Sequence, residues 1–295
     1  MKNLQNPDTP TVAALQLNSS DSVDEIIGTA ECLIDLAAEL GAADGGLLLL
    51  PENFSFMGRK EGDRLAVAEC DGEGVVQAFL SEQAAKHSLW LVGGTMPLKL
   101  DNSDNRVAPA SLVYGPNGER LCRYDKIHLF DVDVNSANGG ESYRESDGFQ
   151  AGTQPETVAT GVGTVGLSVC YDLRFPELYR QLAADGANIF TMPAAFTAAT
   201  GRAHWEVLLR ARAIENLAFV MASGQTGQHA SGRETWGNSM IVDPWGEIIS
   251  RFYTADGNKL ATPLSQQVGV AVANIDLSAQ RQRRSEFPVL NHRHL

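Results

Sequence analysis

Cysteine, basic charge and long apolar runs are all in short supply in this sequence. Its 295 residues hold four cysteines, Cys32, Cys70, Cys122 and Cys170, with no C-x-x-C pair and no metal-type spacing with histidine. That excludes a disulfide framework and argues for no metal, and scattered thiols suit a reducing, cytoplasmic compartment. Lys plus Arg number 23 against 36 Asp plus Glu, a formal net charge of −13. Such a chain is expected to bind no nucleic acid and no anionic membrane, because a phosphate surface repels it. Apolar runs such as Leu47–Leu50 fall far short of the ~20 residues that a spanning helix needs. The first eight residues have no apolar core and no cleavage-like site, so a secretory signal is not expected.

What is there is an ordinary globular composition, 43% hydrophobic and 20% charged. At this length folding buries roughly 75% of the extended chain's surface, enough for one large domain. Strand patterns at 11–17, 46–51 and 89–95 alternate with helical spacing at 23–40 and 73–88. Hairpins are expected at 111–126, 158–170 and 240–252, and a polar loop over 135–154. Helices are expected at 175–184, 203–216 and 278–285, with strands at 188–192, 218–223 and 268–275. No linker or repeat divides the chain. The mixture predicts a single layered α/β domain with mixed sheets.

Gly161, Gly163 and Gly166 match G-x-G-x-x-G literally, but Leu167–Cys170 continues as strand where a dinucleotide site needs a helix. The triplet reads as a hairpin turn. Cys170 is different: an apolar strand delivers it to a polar turn followed by Phe175-Pro176-Glu177. Such a turn exposes a nucleophile beside free backbone N–H groups, although buried thiols are common. Among six histidines only His128 and His204 have motif-like surroundings, which gives a Cys/His pair little support. Glu52, directly after the buried run, is instead a candidate base whose pKa desolvation raises. Lys126 closes a hairpin strand in Arg123–Asp131. Read singly, each is more often the plainer residue, a solvated strand-end Glu and a surface Lys.

Together the segments resemble the nitrilase, or carbon–nitrogen hydrolase, superfamily over about residues 11–275. Leu50-Pro51-Glu52-Asn53, Lys126–Asp131 and Cys170–Glu177 are similar to its three motifs and stand in the same order. The resemblance implies a four-layer α-β-β-α sandwich of the nitrilase type over residues 11–276. It also implies that residues 277–295 are a C-terminal tail, expected at a homodimer interface. It implies Cys170 as nucleophile, Glu52 as base and Lys126 as oxyanion partner, acting on a small-molecule amide through a thioester, with no cofactor. A second glutamate beside the lysine is matched by Glu145, with Glu141 as the competing position. The stretch 193–216 resembles the branch acting on ω-amides, and 225–229 with 233–237 its deaminated-glutathione amidases; Asn238 departs from that branch's usual His. A substrate of that kind brings carboxylates, for which Tyr171, Arg174, Thr197 and Arg202 are the candidate substrate-binding residues. A catalytically silent binding scaffold is the rival class. The Arg281, Arg283 and Arg284 cluster reads as a solvated helix face, and Cys32, Cys70 and Cys122 as structural residues of helices or strands.

Overall fold

The computed structural model describes residues 6, 8–60, 62–101, 103–136, 139–254 and 268–294. In chain order the first half holds β1 (Thr11–Gln16), α1 (Val23–Ala37), β2 (Leu47–Leu49), α2 (Asp63–Val67), α3 (Val75–His87), β3 (Trp90–Val92), β4 (Met96–Leu100), β5 (Ser103–Tyr114), β6 (Arg120–Asp125), β7 (Asp131–Ser136) and β8 (Gly139–Arg144). The second half holds β9 (Thr157–Thr160), β10 (Gly163–Leu167), α4 (Pro176–Ala184), β11 (Ile189–Ala194), α5 (Ala198–Asn216), β12 (Phe219–Gly224), β13 (Thr226–Gln228), β14 (Glu234–Trp236), β15 (Met240–Val242), β16 (Ile248–Arg251), β17 (Tyr253–Thr254), β18 (Gly269–Asn274) and α6 (Leu277–Glu286).

Two mixed sheets carry the fold. One runs β17-β18-β1-β2-β3-β5-β4 with β6 on β5, and the other β16-β15-β12-β11-β10-β9. Their centres are parallel (β1–β2–β3 and β10–β11–β12), and antiparallel strands flank them. The leucine run shows why the sequence is uniformly apolar there. Leu47 and Leu49 point into the core between the sheets, while Leu48 and Leu50 join the core against α1 and α3. A strand buried on both faces has no polar side to show. Helices α4 and α5 pack on the second sheet, completing the expected α-β-β-α sandwich in one domain.

The glycine triplet is the predicted hairpin: Gly163 pairs with Thr160 across a tight turn at φ +126°. Other expectations change. The polar segment from 131 to 144 is not a loop but a β7–β8 hairpin followed by a short 3-10 turn over Glu145–Asp147. Helix α5 begins at Ala198 rather than Ala203, because Thr197 caps it by accepting the Thr200 N–H. Arg284 does not lie on a solvated face. It donates to the carbonyls of Ala187, Asn216 and Leu217, tying the end of α6 onto the second sheet's helices and loops. Cys122 sits in β6, whereas Cys32 and Cys70 are exposed and Cys70 lies outside the named helices and strands. Among the described residues no helix is long and apolar enough to cross a membrane.

Candidate active site

The elements converge where β2, β6 and β10 end. Residue 94 has to be glycine for Pro51 to turn out of β2: at φ +51° a Cβ there would sit 1.9 Å from the Pro51 carbonyl oxygen. The turn delivers Glu52, with Asn53 behind it in the left-handed region at φ +54°. Asn53 N–H donates to Thr95 Oγ1 (2.7 Å), and Gln225 Nε2 donates to the Glu52 carbonyl (3.0 Å). The Glu52 side chain is 4% exposed. Its Oε1 accepts from Lys126 Nζ (2.8 Å) and its Oε2 from the Ala195 N–H (2.8 Å), just past β11.

Lys126 follows β6, with its own N–H on the Pro109 carbonyl. Its ammonium, 1% exposed, also donates to both oxygens of Glu145 at 2.9 and 2.8 Å. Glu145 is fixed in turn by the Phe130 N–H (2.6 Å). Glu145 thus stands beside the lysine, whereas the Glu141 side chain lies outside the described residues.

Cys170 opens a 3-10 turn directly after β10 and is itself left-handed, at φ +48°. A non-glycine residue held there stores roughly 1–3 kcal/mol of strain, and the buried Asp172 holds it. One Asp172 oxygen accepts from the Val169 N–H (2.8 Å) and the Tyr124 hydroxyl (2.7 Å). The other accepts from the His128 N–H (3.1 Å) and lies 2.7 Å from His128 Nδ1. The His128 ring stacks on Phe175, centroids 3.7 Å apart. His128 therefore braces the turn and does not line the cleft.

Protonation follows from this packing. Burial pushes the Glu52 carboxyl up, as expected. The adjacent Lys126 ammonium, the hydrogen bonds from Lys126 and Cys170, and the more distant Arg233 outweigh it and hold Glu52 below the usual carboxylate value. The expected rise in its pKa is thus corrected. Burial alone would lower Lys126, but the Glu145 and Glu52 carboxylates keep its pKa raised. Burial and the Glu52 charge push the Cys170 thiol well above its ordinary value. The resting arrangement is a neutral thiol beside an ionised carboxylate and an ammonium.

Glu52, Lys126, Glu145 and Cys170 all line one cleft of about 590 Å³, counted out to its open mouth. Tyr171, Arg174 and Thr197 line it too. The Arg174 guanidinium lies between the Tyr171 and Phe196 rings, 5.8 and 5.4 Å from their centroids, with Nη1 3.2 Å from His204 Nδ1. Arg202 is not brought in: it is exposed, over the Trp236 ring at 5.6 Å. The cleft also takes Arg64 and Arg233, which the sequence reading did not single out, although Arg233 opens the quoted 233–237 stretch. Asn238 lies outside the lining. Its left-handed φ of +61° suits asparagine, and its carbonyl accepts from Trp205 Nε1. Among the described residues no cluster of His, Cys, Asp and Glu could hold a metal ion.

A buried thiol, carboxylate and ammonium facing one cleft can do nucleophilic acyl chemistry. Comparison with known proteins agrees. The chain is 41% identical over 283 residues to the deaminated glutathione amidase of Synechocystis sp., covering 95% of this chain and 97% of that one. It is 38% identical over 287 residues to the deaminated glutathione amidase of Mus musculus, covering 96% and 83%. The crystal structure of the Caenorhabditis elegans NitFhit protein, a nitrilase and fragile histidine triad fusion, superposes with a TM-score of 0.84 at 34% identity. That match covers 97% of this chain and 65% of the fusion. Residues 11–285 match the carbon-nitrogen hydrolase family, and to that family of hydrolases acting on amide carbon–nitrogen bonds this chain belongs.

Proposed function

We propose that the protein hydrolyses the amide of deaminated glutathione, a 2-oxoglutaryl amide of cysteinylglycine, through a thioester on Cys170. The observation that carries the reading is the buried Glu52–Lys126–Glu145 cluster set against Cys170 in one cleft. As Cys170 sulfur attacks the amide carbon, the thiol proton passes to Glu52. Lys126 and the Tyr171 N–H at the start of the turn meet the oxyanion, each such donor being worth ~10²–10³ in rate. The C–N bond breaks as Glu52 returns the proton to the departing amine. Glu52 then takes a proton from water, which attacks the thioester. The C–S bond breaks and the thiol is restored, with 2-oxoglutarate and cysteinylglycine as products. Glu145 orients Lys126 through charge-assisted hydrogen bonds. Arg174, with Thr197, receives the carboxylate of the acyl half. Arg174 has no carboxylate partner among the described residues, which supports that role.

The test is a comparison of kcat/KM on deaminated glutathione, 2-oxoglutaramate and an N-carbamoyl amino acid, with intact-mass detection of an acyl adduct on Cys170. A preference above ~10-fold for either of the latter two, about 1.4 kcal/mol, overturns the substrate and leaves the reaction class standing. No adduct and no turnover on any of them favours a binding scaffold.

The protein is further read as a cytoplasmic homodimer. Val207 and Ile214, seven residues apart on α5, are exposed, as are Trp245 and Phe287, whose rings meet at 6.2 Å. A face of this kind supports pairing with a second copy. Ile214→Glu is expected to shift the sedimentation of the protein from dimer to monomer.

A further inference from the structure

Beside the reactive cleft lies a larger chamber of about 1440 Å³, counted out to its mouth. Asn53, Arg64, Tyr143, Phe149 and Arg233 belong to both. The loop after Glu52 supplies much of the outer wall, including Met57, Arg59 and Lys60. Its charge is of one sign: Arg59, Lys60, Arg64 and Arg233 line it, with no carboxylate among its described lining residues. In a chain of net charge −13 that is a local reversal.

The shared wall is built to hold its cations. The Arg64 guanidinium lies 4.0 Å from the Phe149 centroid and that of Arg233 5.2 Å from the Tyr143 centroid. For Arg233, stacking occupies the guanidinium's face and leaves N–H groups of its planar fork for a carboxylate. Arg59 is already paired with Asp21. Arg233 donates Nη2 to the Ala195 carbonyl at 2.5 Å, but its buried Nε has no hydrogen-bond partner and no carboxylate pairs with it among the described residues.

A primary amide leaves such a chamber unused, because its leaving group is a single nitrogen. Arg174, Thr197 and Thr200 line only the inner cleft, on which the acyl half is placed. The amine half then has the outer chamber. Spanning up to ~7 Å, a dipeptide carries its terminal carboxylate away from the scissile nitrogen toward the basic wall.

We propose that the outer chamber is the leaving-group subsite, in which Arg233 and Lys60 bind a carboxylate at the far end of the substrate's amine half. The enzyme thereby selects amides of carboxylate-terminated peptides over primary amides. This rests on the amidase reading above and specifies how it discriminates.

The test uses two substrates, 2-oxoglutaryl-cysteinylglycine and the same compound with its glycine carboxylate converted to carboxamide. In the wild-type protein kcat/KM falls about 10-fold or more on the carboxamide, the scale of a charge-assisted hydrogen bond. In Lys60→Glu, at an exposed loop position, and in Arg233→Gln the difference between the two substrates shrinks to about 2-fold or less, as in a double-mutant cycle. An active wild-type enzyme blind to the carboxylate overturns this proposal alone, and so does a difference that survives in both variants. A wild-type enzyme inert on both compounds and on 2-oxoglutaramate overturns the amidase reading, and this proposal with it.

Discussion

Glu52 and Ala195, 143 residues apart, meet through a 2.8 Å hydrogen bond from the Ala195 N–H to the Glu52 carboxylate. The bond joins the turn leaving β2 in one sheet to the turn leaving β11 in the other, so the reactive carboxylate is held by both sheets. Its remaining oxygen faces Lys126. Position and charge of the base are thus set by different parts of the chain, and a substitution can separate them.

Glu52→Gln makes that separation. The amide oxygen still accepts from Ala195 and Glu145 still neutralises Lys126, so the fold is retained even though the amide NH2 now faces the Lys126 ammonium, but the side chain cannot take the thiol proton. Loss of a general base typically costs 10²–10⁴-fold. The variant is expected to melt within a few degrees of the wild type and to lose at least about 100-fold in kcat/KM. Turnover within 10-fold of wild type would remove Glu52 from the role of base.

Lys126→Met tests the charge balance. Breaking a buried ion pair by removing one partner costs roughly 3–5 kcal/mol, because the other charge is left without compensation. In the wild type the lowered Glu52 pKa contributes stability above its unfolded value of about 4.5, which is lost as pH falls through the lower folded value. In the variant Glu52 keeps its burial penalty without its cation, so its folded pKa rises above the unfolded one. The sign reverses. Urea denaturation at pH 7 and pH 5 is expected to show the variant gaining stability on acidification relative to the wild type, and equal slopes would contradict the assignment.

The raised Cys170 pKa predicts slow alkylation. A thiolate paired with a cation would react fast at neutral pH, whereas this thiol is neutral until substrate is present. With Cys32 and Cys70 replaced by serine, iodoacetamide labelling of Cys170 is expected to climb without a plateau from pH 6 to pH 9. The acid limb of kcat/KM on substrate, set by Glu52, is expected below pH 4.5. A labelling plateau near pH 7 would reveal a stable thiolate and overturn the neutral-thiol arrangement.

The parts of the site that were legible in the sequence are those delivered by local pattern. Leu47–Leu50 marks a strand buried on both faces, so the residue that leaves it, Glu52, stands out; the strand before Cys170 and the hairpin before Lys126 work the same way. Glu145 needed its spacing to Ala151-Gly152 and the family resemblance. The hairpin at 131–144 was hidden because its strands, with sequences DVDVNS and GGESYR, offer only the short Val132/Val134 alternation on one side and none in the glycine-led partner. The charge state of Glu52 was misread for a different reason. Its controlling partner, Lys126, is 74 residues away in sequence, and desolvation taken alone predicts the opposite sign. Arg202 and Arg233 show the same limit, since which arginine faces a cleft depends on how α5 and the β13–β14 hairpin pack and not on the residues beside it.

Asp172 is expected to govern the rate without touching substrate. It accepts from Val169, Tyr124 and His128 and so pins the left-handed Cys170 from behind. Asp172→Asn keeps the size but turns one acceptor into a donor, which sets N–H against N–H or removes the Tyr124 bond. The buried unsatisfied group costs roughly 1–3 kcal/mol. Misplacing a nucleophile by about 1 Å can cost on the order of 100-fold, so kcat is expected to fall 10- to 100-fold. KM is expected to stay within about 3-fold, because Thr197 stands at the start of α5 and the Arg174 guanidinium, although it shares the turn with Asp172, is seated by the Tyr171 and Phe196 rings and His204 and not by the Asp172 carboxylate. A loss of stability alone would leave kcat per folded molecule unchanged, so steady-state kinetics at a temperature where the variant is fully folded decides the matter: unaltered kcat there would show Asp172 to be a structural residue only.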